Sequence, residues 1–189
     1  MNRLFIALMI PGEIREKIIS LRNKAIKNYN TFRWEPEEKI HLTLKFIGDV
    51  NDELTEPIIN ALKFVSDYNC FNCRLTRFGF FYKQGNTGQR GRQARVLWVG
   101  LSLDDSIFRM VDKINKEFES LSIPSEKRKF RPHLTIKRLK GDEGENFINA
   151  FESFEIPEIQ FNAGEIALIK SDLLPGGSKY TEIKKYKLK

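Results

Sequence analysis

The sequence predicts a mixed α+β fold built twice over, as two lobes related by a pseudo-two-fold axis with a cleft between them. Three observations carry that expectation. The only two histidines, His41 and His133, open near-identical pentapeptides, His41-Leu42-Thr43-Leu44-Lys45 and His133-Leu134-Thr135-Ile136-Lys137. The 92-residue offset between them sets other segments opposite one another without a gap. Strand-like and helix-like hydrophobic periods also alternate along each half.

Arg3-Leu4-Phe5-Ile6-Ala7-Leu8 is a short apolar run that reads as a strand, and it falls opposite Arg95-Val96-Leu97-Trp98-Val99-Gly100. From Gly12 onward, Ile14, Ile18, Leu21 and Ala25 recur at the helical period. Ile107, Met110, Ile114, Phe118 and Leu121 do the same in a helix beginning at Asp104. There Asp104 and Asp105 are expected to cap the first turn and complement its dipole. Each His pentapeptide then reads as a strand. Alternation puts each His on one face with the Thr two residues on, and turns Leu42 and Leu134 toward a core. A helix is expected from residue 52 to about 67 on Leu54, Ile58, Leu62 and Val65, with Pro57 in its first turn, where a missing N–H costs little. Its counterpart is shorter, residues 145–153. Strands around residues 71–81 and 155–168 complete the halves, and residues 180–188 are a candidate terminal strand. Turns such as Gly48-Asp49 leave parallel or antiparallel pairing open. With no linker rich in Pro, Gly or Ser, the 189 residues are expected to form one domain of two lobes, about 1–92 and 93–189.

Composition narrows the function. Hydrophobic content of 41% and 15 phenylalanines argue against disorder. The net charge of +7 favours polyanionic partners such as RNA. The run Leu4 to Ile10 resembles a secretory signal but is short, lacks a small-residue cleavage site and meets Pro11-Gly12. No segment approaches the roughly 20 apolar residues of a membrane span. A cytoplasmic protein is expected, with monomer the default. Cys70-Phe71-Asn72-Cys73 has no second pair to complete a zinc site and no adjacent helix signal, so incidental thiols are the expectation. The segment from Tyr82 to Arg95 carries Lys83, Arg90, Arg92 and Arg95 with no acidic residue. Arg90 and Arg92 are candidate RNA contacts in a flexible basic loop; an exposed, merely soluble hairpin connection is the alternative. Its glycines do not form a P-loop.

A single His-x-Thr on a strand would be ordinary. Two copies that use every histidine place two imidazoles and two hydroxyls around one site, where one imidazole can act as acid and the other as base on a phosphate. Such a pair predicts a bell-shaped rate centred near neutrality. Catalytic zinc usually takes three protein ligands and here only two histidines exist, with no His-Glu-x-x-His spacing, so metal is the weaker reading and no cofactor is expected.

These motifs resemble the two-histidine (2H) phosphoesterase superfamily, in particular its RNA 2′,3′-cyclic phosphodiesterase branch, also called 2′–5′ RNA ligases. Arg3-Leu4-Phe5-Ile6-Ala7, Trp34-Glu35-Pro36, Gly48-Asp49-Val50, Arg95 to Gly100, Phe130-Arg131-Pro132, Ser171-Asp172-Leu173, Gly176-Gly177 and Tyr180 extend the likeness over the whole chain. The resemblance implies two antiparallel sheets flanking a central cleft, helices outside, and metal-independent opening of a cyclic phosphate at an RNA end to leave a 2′-phosphate. It also implies His41 as general acid, His133 as general base, and Thr43 and Thr135 as donors to the phosphate oxygens. Arg138 matches the family's phosphate-binding arginine, although strict alternation would put Lys137 on the His133 face; a bulge or strand end would turn Arg138 inward. Phe46 stands at the equivalent place in the first motif, either to stack on a base or to pack in the core. The expected partner is RNA with a cyclic phosphate end, or a small cyclic nucleotide. Rival readings are a 2′–5′ ligase, a 2′–5′ oligonucleotide phosphodiesterase, and an RNA-binding module without catalysis.

Overall fold

Each half opens strand, helix, His-strand, helix, strand, and the second half adds two further strands. The computed structural model describes residues 1–83, 93–126, 128–140 and 143–189. The first half comprises β1 (Asn2–Met9), α1 (Gly12–Ala25), β2 (His41–Val50), α2 (Thr55–Ala61) and β3 (Phe71–Tyr82). The second comprises β4 (Ala94–Leu103), α3 (Ser106–Glu119), β5 (His133–Arg138), α4 (Gly144–Glu152), β6 (Gln160–Ala163), β7 (Glu165–Leu174) and β8 (Gly177–Lys187). The strands pair antiparallel in the order β6-β3-β4-β5-β2-β1-β7-β8, curled into a half-barrel. The two expected sheets are its four-strand halves. They join where β2 meets β5, in register only at Leu42 opposite Leu134.

Several expectations need correction. Each repeat lends its later strand to the other half of the sheet: β3 pairs with β4, and β7 pairs with β1. The chain changes halves at Gly164, between β6 on β3 and β7 on β1, so the single strand expected over 155–168 is two. The helix expected over 52–67 is α2 flanked by 3-10 turns at Asp52–Leu54 and Lys63–Asp67. Phe64, Val65 and Ser66 are indifferent helix formers, and 3-10 turns commonly finish such a segment. Ile58, Leu62 and Val65 still reach the core fully buried. Asp105 precedes α3 but makes no side-chain cap; the Asp104 carboxylate accepts the Asn72 N–H instead.

The helices cover one face of the sheet, α3 against β2 and α2, and α4 against β3 and α1. The main core lies between, with Leu42 and Leu134 both fully buried, as alternation predicts. A second, small cluster of Phe5, Ala7, Ala167 and Ile169 lies apart from that core, with Met9 and Tyr180 packed on it. β1 is therefore buried on both faces, which explains its unbroken apolar run. No helix among the described residues is long and apolar enough to cross a membrane.

Candidate active site

The same irregularity in β2 and β5 builds the site. Along β2, Ala7 faces Thr43 and Ile6 faces Lys45, so Leu44 is an extra residue. Along β5, Trp98 faces Thr135 and Leu97 faces Lys137, so Ile136 is extra. A one-residue bulge reverses the alternation beyond it. Lys45 and Lys137 thus turn inward, 1% and 6% exposed, while Phe46 and Arg138 turn into the cleft. Burying an ammonium is costly unless it is paired. Lys45 Nζ donates to Asn115 Oδ1 at 2.7 Å and to the Pro124 carbonyl at 2.8 Å. Lys137 Nζ donates to the Arg33 carbonyl at 3.1 Å and lies 3.2 Å from Glu143 Oε1. The repetition of a lysine four residues after each histidine was the sequence signal for this device.

His41, Thr43, Phe46, His133, Thr135 and Arg138 all line one small cleft. The cleft also takes in Phe5, Glu35, Lys39, Ser171 and Tyr180, to which sequence reasoning gave no role. His133 Nδ1–H donates to the Arg131 carbonyl at 2.7 Å, which fixes the tautomer and leaves Nε2 with its lone pair. His41 Nε2 lies 3.1 Å from Thr43 Oγ1. The Phe5 ring stacks on His41 at 5.0 Å and Tyr180 meets it edge-on at 5.7 Å. Loss of water to these rings pushes His41 down to about 4; the Lys39 backbone opposes the shift, and the charges of Arg138 and His133 add to it. Among the described residues, His41 Nδ1 has no partner within hydrogen-bond geometry. Desolvation also lowers His133, against the Arg131 carbonyl and with Arg138. Both imidazoles therefore favour the neutral form when the cleft holds no anion.

The wall carrying Glu35 is set by aromatic packing. Phe32 and Trp34 lie against Phe147 at 5.0 and 6.1 Å, and the Arg22 guanidinium covers Trp34 at 4.5 Å. The Glu35 N–H donates to the Ile136 carbonyl at 3.0 Å, and its carboxylate lies 3.6 Å from Arg138 Nε. On the other side, Phe81 meets His133 edge-on at 4.8 Å and packs on Trp98. Trp98 can lie there only because Gly79 lacks a side chain, as a Cβ would sit 2.4 Å from the indole.

Phe46 is 51% exposed, which removes core packing as its role. Arg90 and Arg92 fall outside the described residues; the Lys83 N–H bonded to the Gln93 carbonyl closes the base of that connection. Cys70 and Cys73 are free, and burial pushes the Cys73 thiol up to about 12. Among the described residues, no group of three or more His, Cys, Asp or Glu side chains gathers as a metal site.

Two imidazoles, two hydroxyls and a guanidinium thus line one cleft, the set of groups that anion binding and proton transfer would use. The chain belongs to the LigT-like phosphoesterase family, whose profile it matches over residues 8–88 and 99–180. It is 28% identical to an RNA 2′,3′-cyclic phosphodiesterase of Thermotoga maritima, over 94% of this chain and 91% of the relative. It is 27% identical to one of Methanocaldococcus jannaschii, over 97% and 99%. Among solved structures, Escherichia coli LigT complexed with 3′-AMP superposes with a TM-score of 0.74 at 25% identity, over 99% of this chain and 98% of that one.

Proposed function

We propose that this protein is an RNA 2′,3′-cyclic phosphodiesterase that opens the cyclic phosphate to a 2′-phosphate. The observation that carries the reading is the pair of His–Thr strands brought to one cleft by the Leu42–Leu134 bridge, in a chain of the LigT-like family. His133 acts as the proton acceptor, a role supported by its fixed tautomer with a free Nε2. Water loses a proton to that nitrogen as its oxygen bonds to phosphorus. The P–O3′ bond breaks on the far side, and His41 gives its proton to the departing 3′-oxygen. Thr43 and Thr135 donate to the non-bridging oxygens, and Arg138 offsets their charge. At the end His133 is charged and His41 neutral, and exchange with solvent resets the pair. Each positioned proton transfer contributes about 10²–10⁴-fold.

In this reading the chain's own residues supply both proton transfers, so no metal takes part, and the protein works as a cytoplasmic monomer. Phe46 stacks on the terminal base, and Arg90 and Arg92 add contacts to longer RNA. The test is an RNA ending in a 2′,3′-cyclic phosphate, incubated with the protein and excess chelator. Turnover to a 2′-phosphate is expected. Binding without turnover would leave a recognition module, a 3′-phosphate product would overturn the assignment of His41, and loss of activity to the chelator would overturn the metal-free mechanism.

A further inference from the structure

The cleft does not end at the histidines. It continues into a larger groove, of about 840 Å³, that shares Glu35, Lys39, Phe46, Arg138, Ser171 and Tyr180 with it. Residues 31–36 and the tip of the β7–β8 hairpin both line this groove. The Arg33 guanidinium donates to the Gly176 carbonyl and ties the two together. The hairpin is a firm wall: β7 and β8 pair up to Leu174 opposite Gly177, which turns the chain at a φ of +123° that an L side chain resists.

Two features of the groove select its occupant. The large hydrophobic side chains left exposed among the described residues are Met1, Phe46, Leu173 and Leu174, and all but Met1 line it. Exposed apolar groups gathered in one groove mark a binding surface. The same groove presents Arg33, Lys39, Arg138 and Lys140, against Glu35 beside Arg138; Arg3 is paired with Asp49, and the Lys137–Glu143 pair is buried. A ligand that meets both needs flat apolar faces and repeated negative charge, which is the description of single-stranded nucleic acid. A cyclic phosphate occupies both the 2′ and 3′ oxygens of the last nucleotide, so the rest of an RNA strand leaves the cleft through the 5′ oxygen alone.

We propose that this groove holds the single-stranded RNA immediately 5′ of the cyclic phosphate, with bases against Phe46, Leu173 and Leu174 and phosphates on Arg33 and Lys140. The proposal rests on the cyclic phosphodiesterase reading, and it makes RNA strand ends, rather than cyclic mononucleotides, the preferred substrate. Duplexed ends are poor substrates, because paired bases cannot lie on the apolar wall.

The test pairs binding with turnover, using the parent protein and the L173S/L174S variant, whose changes lie at exposed positions. Binding is read by fluorescence anisotropy with a labelled decanucleotide RNA ending in a 2′-phosphate, single-stranded and annealed to its complement. Turnover is read as kcat/KM on the cyclic-phosphate form of that RNA and on adenosine 2′,3′-cyclic phosphate. Losing both apolar side chains from beneath the bases removes the hydrophobic contact they supply, so the variant should bind single-stranded RNA about tenfold more weakly. Its RNA-to-mononucleotide ratio of kcat/KM should fall by about the same factor. The parent should prefer the single strand over the duplex, and its RNA binding should weaken as salt rises. Unchanged RNA binding in the variant, or a parent with no preference for RNA over the mononucleotide, overturns the groove assignment while leaving the chemistry intact. Loss of binding in the variant of a parent that turns over neither substrate supports the groove and rejects the phosphodiesterase reading.

Discussion

The two histidines carry a pH signature that separates this site from one built of ordinary imidazoles. Phe5 and Tyr180 hold His41 at about 4, so at pH 7 only about one molecule in a thousand carries the proton that the acid role needs. The bound phosphate supplies the correction. A single negative charge about 4 Å from the imidazolium, at an effective dielectric of about 20, is worth about 4 kcal/mol, roughly a thousandfold in the protonation equilibrium. In the proposed mechanism, substrate therefore brings its own acid into the charged form. The value of kcat/KM reports the free enzyme, and with both histidines lowered its maximum should lie below pH 6.5 and fall about tenfold per pH unit above that. The value of kcat reports the complex, and its optimum should lie closer to neutrality. Arg138 depresses both histidines, so Arg138→Met should move the kcat/KM optimum to higher pH even as KM rises. The assay is a pair of pH profiles at low and saturating cyclic nucleotide, with an NMR titration of the His41 ring protons with and without inorganic phosphate. A free-enzyme His41 that titrates at 6.5 or above, or a kcat/KM maximum at or above pH 7, would refute the reasoning.

Other consequences test the frame around the site. Lys45→Ala deletes a buried stem and strands the acceptors Asn115 and Pro124, so it should cost about 2–4 kcal/mol in urea denaturation, far more than an exposed lysine. Gly79→Ala forces its Cβ to within 2.4 Å of Trp98, and should lower stability by about 1–3 kcal/mol with a change in tryptophan fluorescence. Trp98 supports Phe81 beside His133, so turnover should fall with it. Thr135→Val keeps the shape and removes a hydroxyl, and should lower kcat about 10²-fold with little change in denaturation midpoint.

Much of the fold and site is legible in the sequence because the repeat makes it so. Two copies of His-Leu-Thr define the strands, their faces and the burial of Leu42 and Leu134 from alternation alone. Alternation fails one step later, at Lys45 and Lys137, because a bulge depends on where a long side chain finds partners across the core, and Asn115, Pro124 and Arg33 are distant in sequence. The likeness of Arg138 to a family position reaches the right side of the cleft where local periodicity does not. The exchange of β3 and β7 between halves is hidden for a similar reason: strand partners depend on which edge is left open, and a strand's own sequence does not record that. Phe5, Tyr180 and Glu35 draw no role because each is unremarkable locally and meets His41 or Arg138 only through the sheet curl and the aromatic packing around Trp34.

The central claim is that His41 and His133 act as one proton relay on a phosphate. The most direct measurement is turnover of adenosine 2′,3′-cyclic phosphate by His41→Ala, His133→Ala and the double variant, each checked for an unchanged denaturation midpoint. Each single change should lower kcat by about 10²-fold or more, and the double change should cost far less than the product of the two, because a broken relay cannot be broken twice. Near-parent activity in either single variant, or losses that multiply fully in the double, would contradict the account.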